Sequence, residues 1–379
     1  MSSETVLTNA RVVLPGETID GHVVIRDGMI AAIGEGAAAG EDLGGDTLIP
    51  GLVELHTDHI ETHFMPRPKV FWDMFAALHA HDAQIASSGI TTVFDAIRVG
   101  TDEDATLTVD TMEKLSDVIA EAAKADVTRA EHFIHLRCEV SAPDAVEGFE
   151  RLSKNVRVRL ASLMDHAPGQ RQFVSFDTYR TYYQKKKALS DEEFDRFTKR
   201  RIAESEKNSG PSRRAIAAAA MERGIALASH DDATDAHVEE ALALGTQIAE
   251  FPTTTEAAAA SHGAGLGVLM GAPNIVRGGS HSGNVAAHDL LAAGHLDILS
   301  SDYVPFSMLQ AVFVLAREGT LDLPAAIRLV SSNPAKAAGL ADRGEIVVEK
   351  RADLVRVRES LPGRPPFVAS VYRAGRRVA

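Results

Sequence analysis

One cysteine and one tryptophan stand in a chain of 379 residues, and aromatic side chains make up only 5% of it. A lone thiol, Cys138, excludes an intrachain disulfide and fits a reducing compartment. Its expected place is inside a strand. Positive charge is also short: 39 Lys and Arg face 53 Asp and Glu, a formal net charge of −14. That balance argues against nonspecific nucleic-acid binding and against attraction to anionic membranes. It does not exclude an anionic small molecule, because a local group of arginines can override the average field. Long apolar runs and an N-terminal hydrophobic region are lacking too, so the expectation is a cytoplasmic protein that neither spans a membrane nor is exported. What is present is a 45% hydrophobic composition, ample for a large core in either two domains or one α/β barrel with additions.

Residues 4–50 read as short strands at 5–14, 21–26 and 29–33, with Asp27-Gly28 marking a hairpin. From Gly51 the pattern changes to alternating strand and helix. Strands are expected at 51–56, 90–97, 132–139, 156–164, 225–230, 246–251, 266–271 and 296–302. The clearest helices fall at 72–88, 110–124, 212–223, 234–244, 254–262 and 284–293. Eight such units predict a (β/α)₈ TIM-like barrel, with functional residues at the C-terminal strand ends. After Asn333-Pro334-Ala335 short strands return at 344–348, 352–357 and 368–372. Residues 1–50 and 340–379 are therefore expected to pair into a small β-sandwich beside a barrel of 51–339. The Tyr-, Lys- and Glu-rich segment 177–212 reads either as a lid over the barrel mouth or as a solvated helical excursion.

Chemistry gathers at the strand ends. The run Pro50-Gly51-Leu52-Val53-Glu54-Leu55 leads to His56 and Asp58, two residues apart and so on one face of a strand. Imidazole beside carboxylate suits a first-row divalent ion, zinc first, with manganese or iron as alternatives. Glu139, His166, His230 and Asp302 end other runs and are candidate ligands of one or two ions. Glu139 could bridge a pair of metals, and Asp302 is placed to act as general base. His59 is a candidate either for a substrate contact or for a group behind the ligands. His63 is less persuasive, and His79 and His81, within the first helix, are expected at the surface or behind the site. A second pattern is Arg277-Gly278-Gly279-Ser280-His281-Ser282-Gly283-Asn284 before a helix. Backbone N–H groups there would suit phosphate, with Arg277, Ser280, His281 and Asn284 as contacts. Arg67 and Arg171 could clamp phosphoryl oxygens.

The opening around His56-Thr57-Asp58, the late Asp302, Asn333-Pro334-Ala335 and Lys350-Arg351-Ala352-Asp353-Leu354 resemble the amidohydrolase superfamily. Within it the chain is most similar to the PhnM family of the carbon–phosphorus lyase pathway. Pro66-Arg67-Pro68-Lys69-Val70, Ser162-Leu163-Met164-Asp165-His166, Pro168-Gly169-Gln170-Arg171-Gln172-Phe173, Ala228-Ser229-His230-Asp231-Asp232-Ala233-Thr234, 270–286 and Leu299-Ser300-Ser301-Asp302-Tyr303 carry that likeness over almost the whole length. The resemblance implies metal-dependent hydrolysis of α-D-ribose 1-methylphosphonate 5-triphosphate to the 5-phosphate and pyrophosphate. The implied partner is a phosphorylated small molecule, not nucleic acid or membrane, and a homodimer is allowed for. Two departures stand out. Superfamily histidines usually end strands five and six, while His166 falls on strand four, His230 on five, and strand six ends near Glu250. Either the strand count is off by one or the second metal is held differently, with Glu250 taking part in place of Glu139. His59 also stands where the family more often has asparagine. The competing activity is cleavage of a C–N bond in a cyclic amide or N-acyl substrate, which the same ligands would serve.

Overall fold

The computed structural model describes residues 4–67, 69–100, 107–171, 180, 190–280, 283–359, 361 and 363–379. Eight parallel strands follow one another in chain order: Leu52–Thr57, Ile90–Val99, Glu131–Glu139, Val158–Met164, Ala226–His230, Ile248–Glu250, Gly267–Gly271 and Ile298–Ser300. The first and last meet at a parallel bridge between Thr57 and Asp302. Asp58 N–H donates to the Asp302 carbonyl at 3.1 Å, and Asp302 N–H donates to the His56 carbonyl at 3.1 Å. Glu54 reinforces the seam. Its buried carboxylate accepts from the Ser301 N–H at 2.6 Å, the Ser300 hydroxyl at 2.5 Å and the His56 N–H at 2.6 Å. The (β/α)₈ barrel expected from the alternation is the fold observed.

The interior is built in layers because successive residues of a strand face opposite ways. Val53, Leu55, Phe94, Phe133, Leu160, Ala228, Ile248, Leu269 and Ile298 form one apolar cluster to which every strand contributes. Two residues further on come His135, Ser162, His230, Glu250 and Ser300, all buried. The barrel thus carries an apolar floor and a polar layer directly above it.

The terminal segments form a separate mixed sheet in the order Arg376–Arg377, Phe367–Arg373, Leu354–Arg358, Thr47–Pro50, Glu4–Val13, Thr18–Arg26, Met29–Glu35, with Glu41–Asp42 beside Glu4–Val13. Thr47–Pro50 joins the two chain ends by pairing parallel to one and antiparallel to the other. Leu7, Val12, Val23, Ile25, Leu48 and Leu354 share its core. One expectation fails: 344–348 is irregular chain rather than strand, although Ile346 still packs into this core.

Two helical assignments also change. The helix expected at 212–223 is the end of a single helix, Asp191–Glu222, started by a capping box between Ser190 and Glu193. Arg201, Ser205, Ser209 and Arg213, spaced by four along it, are buried. They reach Glu139 and Asp165, so this part of the segment is packed on the barrel rather than solvated. Most of 177–189 lies outside the described residues. The helix expected at 284–293 is six residues, Ala287–Ala292, and another helix, Ala272–Arg277, precedes it. Among the described residues no helix is long and apolar enough to cross a membrane.

Candidate metal centre

At the barrel mouth a register irregularity between Glu54 and Thr57 interrupts the alternation of the first strand. Leu55 belongs to the floor, yet the next residue, His56, also turns inward. Its Nδ1 lies 3.2 Å from Glu250 Oε1, and His230 Nδ1 lies 3.1 Å from Glu250 Oε2. Ser162 donates to the same carboxylate at 2.6 Å. Burial would favour neutral Glu250, but His56 and the hydrogen bonds from His230 and His56 outweigh it and hold the carboxyl well below its usual range.

Across from Glu250, His56 Nε2 lies 3.7 Å from Asp58 Oδ1, and His230 Nε2 lies 3.4 Å from Asp231 Oδ2. His166 Nε2 is 3.8 Å from that same oxygen. Among the described residues at the mouth, two groups of side chains are therefore compact enough to hold an ion: His56, His230 and Glu250, and His166, His230 and Asp231. They share His230. The donor set is nitrogen and carboxylate, suited to a first-row divalent metal. Asp231 Oδ2 is buried without a hydrogen-bond partner, the expected state of an oxygen whose partner is a cation. The residues present fit a metal.

Local backbone aims these groups. Asp231 (φ +57°), Phe251 (φ +53°) and Asp302 (φ +55°) take left-handed conformations at the ends of strands five, six and eight. Such strain in non-glycine residues gathers at functional sites. Phe251 then packs edge-on against His56 and His230, with ring centres 5.1 and 5.4 Å away. Asp302 lies in the field of His56, Asp58, Arg137 and His230, and burial together with Asp58 pushes its carboxyl upward against the pull of His56.

The other candidates divide. Glu139 is not a member of either group. Its Oε2 meets His166 Nδ1 at 2.7 Å, and its Oε1 accepts from Arg201 at 3.1 Å and Ser141 at 2.5 Å. Both Glu139 oxygens meet partners within the protein, as both Glu250 oxygens do, and in this arrangement Glu139 orients His166. His59 turns away: its Nε2 lies 2.8 Å from Gln84 Oε1 on the outer helix. Arg171 is buried with Nη1 on Asp232 and Nη2 on Glu240 at 2.8 Å. Arg67 is exposed in a turn bridged to Val70. Arg277 is exposed on the last turn of Ala272–Arg277. Of the glycine-rich stretch expected to meet phosphate, the first N–H groups are engaged within the protein. Gly278 and Gly279 N–H groups donate to the Ile275 and Asn274 carbonyls at 3.1 and 2.9 Å and close that helix. Asn284 N–H donates to Ser280 Oγ at 3.3 Å, and Val285 N–H to the Thr253 carbonyl at 3.1 Å. His281 lies outside the described residues. His81 is fully buried behind the strands rather than at the surface.

Sequence reasoning overlooked Arg137, His135 and Asp231. Arg137 Nη1 lies 2.7 Å from Asp58 Oδ1 and supplies a cation at the mouth. His135 meets Ser162 through Nε2 and the Leu55 carbonyl at 2.9 Å through Nδ1. Burial brings its pKa down to about 3, so the ring is neutral. The signal for both was the alternation Phe133, His135, Arg137 along strand three.

A family model described as an amidohydrolase family matches residues 73–379. A curated Escherichia coli (strain K12) protein, alpha-D-ribose 1-methylphosphonate 5-triphosphate diphosphatase, is 47% identical over 378 residues, covering 98% of this chain and 100% of its own. Among solved structures, N-acetyl-D-glucosamine-6-phosphate deacetylase from Mycobacterium smegmatis aligns over 100% of both chains at TM-score 0.64 and 16% identity. An amidohydrolase from a Sargasso Sea environmental sample aligns over 100% of this chain and 93% of its own at TM-score 0.66 and 16% identity. At such identities the two structures speak for the fold alone.

Proposed function

This chain belongs to the amidohydrolase family, and from that premise we propose that it hydrolyses α-D-ribose 1-methylphosphonate 5-triphosphate to the 5-phosphate and pyrophosphate. The observation that carries the reading is the 47% identity to the Escherichia coli diphosphatase across 98% of the chain. The metal-capable mouth is compatible with it but would serve C–N hydrolysis equally. Arg171, Gly278 and Gly279 no longer help to discriminate, since their donors are engaged inside the protein. Arg137 takes over as the cation nearest the candidate ligands.

The donors of His56, Asp58, His166, His230, Asp231, Glu250 and Asp302 would hold one or two divalent ions, with zinc as the proposed metal. A bound divalent ion supplies Lewis acidity and lowers the pKa of water. Around it, Glu250 fixes the rings of His56 and His230, and Glu139 fixes that of His166. Asp302 accepts the proton as the water oxygen bonds to phosphorus. The P–O bond between the first and second phosphates breaks, pyrophosphate leaves, and Arg137 offsets charge developing on phosphoryl oxygens. Buried Cys138 fits the reducing cytoplasm as the compartment.

The test is incubation of zinc-loaded protein with this triphosphate, followed by ³¹P NMR. Stoichiometric pyrophosphate and 5-phosphate are expected. An unchanged spectrum, with turnover of a cyclic amide or N-acyl substrate instead, would replace this reading by the C–N one.

A further inference from the structure

Strands two and three stack three inward pairs of residues from floor to mouth. The strands run parallel in register, so Phe94 stands beside Phe133, Ala96 beside His135 and Arg98 beside Arg137. Phe94 and Phe133 belong to the apolar floor, with ring centres 5.2 Å apart. His135 lies in the polar layer above it. The residues between point the other way: Ile97, Val99, Leu136 and Cys138 share the core beneath the helices. Asp95 and His132 face outward too. Asp95 lies 2.7 Å from His81 Nε2 and 2.7 Å from His132 Nδ1, and His132 Nε2 lies 3.2 Å from Asp82 Oδ1. That outer layer of histidines and carboxylates is buried and pairs within itself, apart from His81 Nδ1. The inward alternation therefore ends on two arginines, Arg98 and Arg137, side by side at the mouth.

The two guanidiniums differ in what holds them. Arg137 Nη1 lies 2.7 Å from Asp58 Oδ1, and its side chain is 16% exposed. Arg98 makes no hydrogen bond among the described residues. Its ion-pair partner there is Glu61, 3.9 Å away on the helix His59–Phe64, and its side chain is 42% exposed. An ion pair that long and that exposed is worth little, so exchanging Glu61 for another anion costs little. The charge of Arg98 nonetheless reaches the candidate ligands. Loss of hydration would raise the Asp58 carboxyl, but Arg137, His56 and Arg98 hold it below its usual range. A planar fork of N–H donors thus stands open at the mouth of a chain whose net charge is −14.

We propose that Arg98 binds the pyrophosphate end of a polyphosphate substrate and, with Arg137, clamps it at the mouth. The inference rests on the diphosphatase reading above and adds to it a residue that selects for the departing phosphates. Neighbouring strands stand about 4.8 Å apart, so the paired guanidiniums suit two linked phosphoryl groups better than one. Each can hold phosphoryl oxygens bidentately. Arg137, beside Asp58, meets the phosphoryl group next to the breaking bond. Arg98, closer to solvent, meets the terminal one and gives up Glu61 to do so. A lone phosphonate or 5-phosphate fills only half of such a clamp.

Pyrophosphate binding tests it without turnover. The zinc-loaded full chain and Arg98→Met, which keeps the aliphatic stem but not the fork, are titrated calorimetrically with inorganic pyrophosphate and with methylphosphonate. Zinc per chain is counted in each sample. Arg98→Met is expected to bind pyrophosphate about 10–100-fold more weakly, the range for losing hydrogen bonds to a charged group. Zinc content and methylphosphonate affinity should not change. Equal pyrophosphate affinities, no binding by the wild type, or an equal loss for methylphosphonate would each overturn the clamp. Arg98→Lys keeps the charge without the fork and should also bind pyrophosphate more weakly than the wild type. It decides the matter should Arg98→Met fold poorly, and wild-type affinity in it would overturn the proposal. The ³¹P assay of triphosphate hydrolysis is read separately. Turnover with pyrophosphate binding independent of Arg98 removes the clamp alone, whereas Arg98-dependent binding without turnover removes the diphosphatase reading alone.

Discussion

The mouth and the outer layer are made of the same materials, histidines and carboxylates, yet they leave opposite atoms unpaired. At the mouth Glu250 and Glu139 sit behind the rings and occupy their Nδ1 atoms, so a carboxylate oxygen of Asp231 is left over. In the outer layer Asp82 and Asp95 are saturated, and a nitrogen of His81 is left over. Solvent access differs as well: the Asp58 side chain is 36% exposed, whereas those of Asp95, His81 and His132 are 0% exposed. The lesson is that a residue's type proposes chemistry, but the partner already bonded to it decides which atom is available.

The contrast can be broken most directly at His230, the residue common to both mouth groups. His230→Ala should lose bound metal and lower turnover by about 10³-fold, since a Lewis acid contributes several kcal/mol of charge stabilisation. Steady-state kinetics alongside metal analysis would check this, and unimpaired turnover would remove the mouth from the mechanism. Asp302→Asn should lower kcat by roughly 10²–10⁴-fold with metal retained, the range for losing a positioned general base. Glu250→Gln separates orientation from chemistry. Its expected effect is a drop in metal affinity of about 10–100-fold, read by competition with a chelator.

In the outer layer the expected effect is on stability. Asp95→Ala leaves His132 charged and buried beside a single remaining carboxylate, and should destabilise the fold by about 3–5 kcal/mol in urea titrations. The smallest effect is on pH. Burial would favour the neutral ring of His132, but Asp95 and Asp82 outweigh it and raise its pKa to about 9. A raised folded-state pKa stabilises fully below the unfolded value of about 6.5 and is lost as pH climbs through about 9. Urea midpoints should therefore fall across that window in the wild type and fall less in His132→Gln.

Strand ends were legible because apolar runs of the right length stop at His56, Glu139, His230 and Asp302. The barrel followed from eight such runs alternating with helices. Glu250 was visible only as a stand-in, since its strand has three residues, Ile248–Glu250, and a lone glutamate after two apolar residues has no distinguishing spacing. The glycine-rich stretch misled for a related reason. Glycines after Arg277 end one helix as readily as they precede another, and the sequence does not say which carbonyls their N–H groups will meet. His59 and Asp58, adjacent in the chain, parted company because the helix His59–Phe64 begins between them.

By itself the sequence determined the strand–helix alternation, the layering within each strand and the residue types at each strand end, because these depend on periods of two and on short-range hydrophobic pattern. Tertiary structure decided which of those side chains share a point in space. Closure of Leu52–Thr57 onto Ile298–Ser300 brought together residues about 250 apart in the chain, and the left-handed turns at Asp231, Phe251 and Asp302 set their direction. The closure follows from the barrel's requirement that eight strands meet at one fixed stagger, which no local pattern encodes.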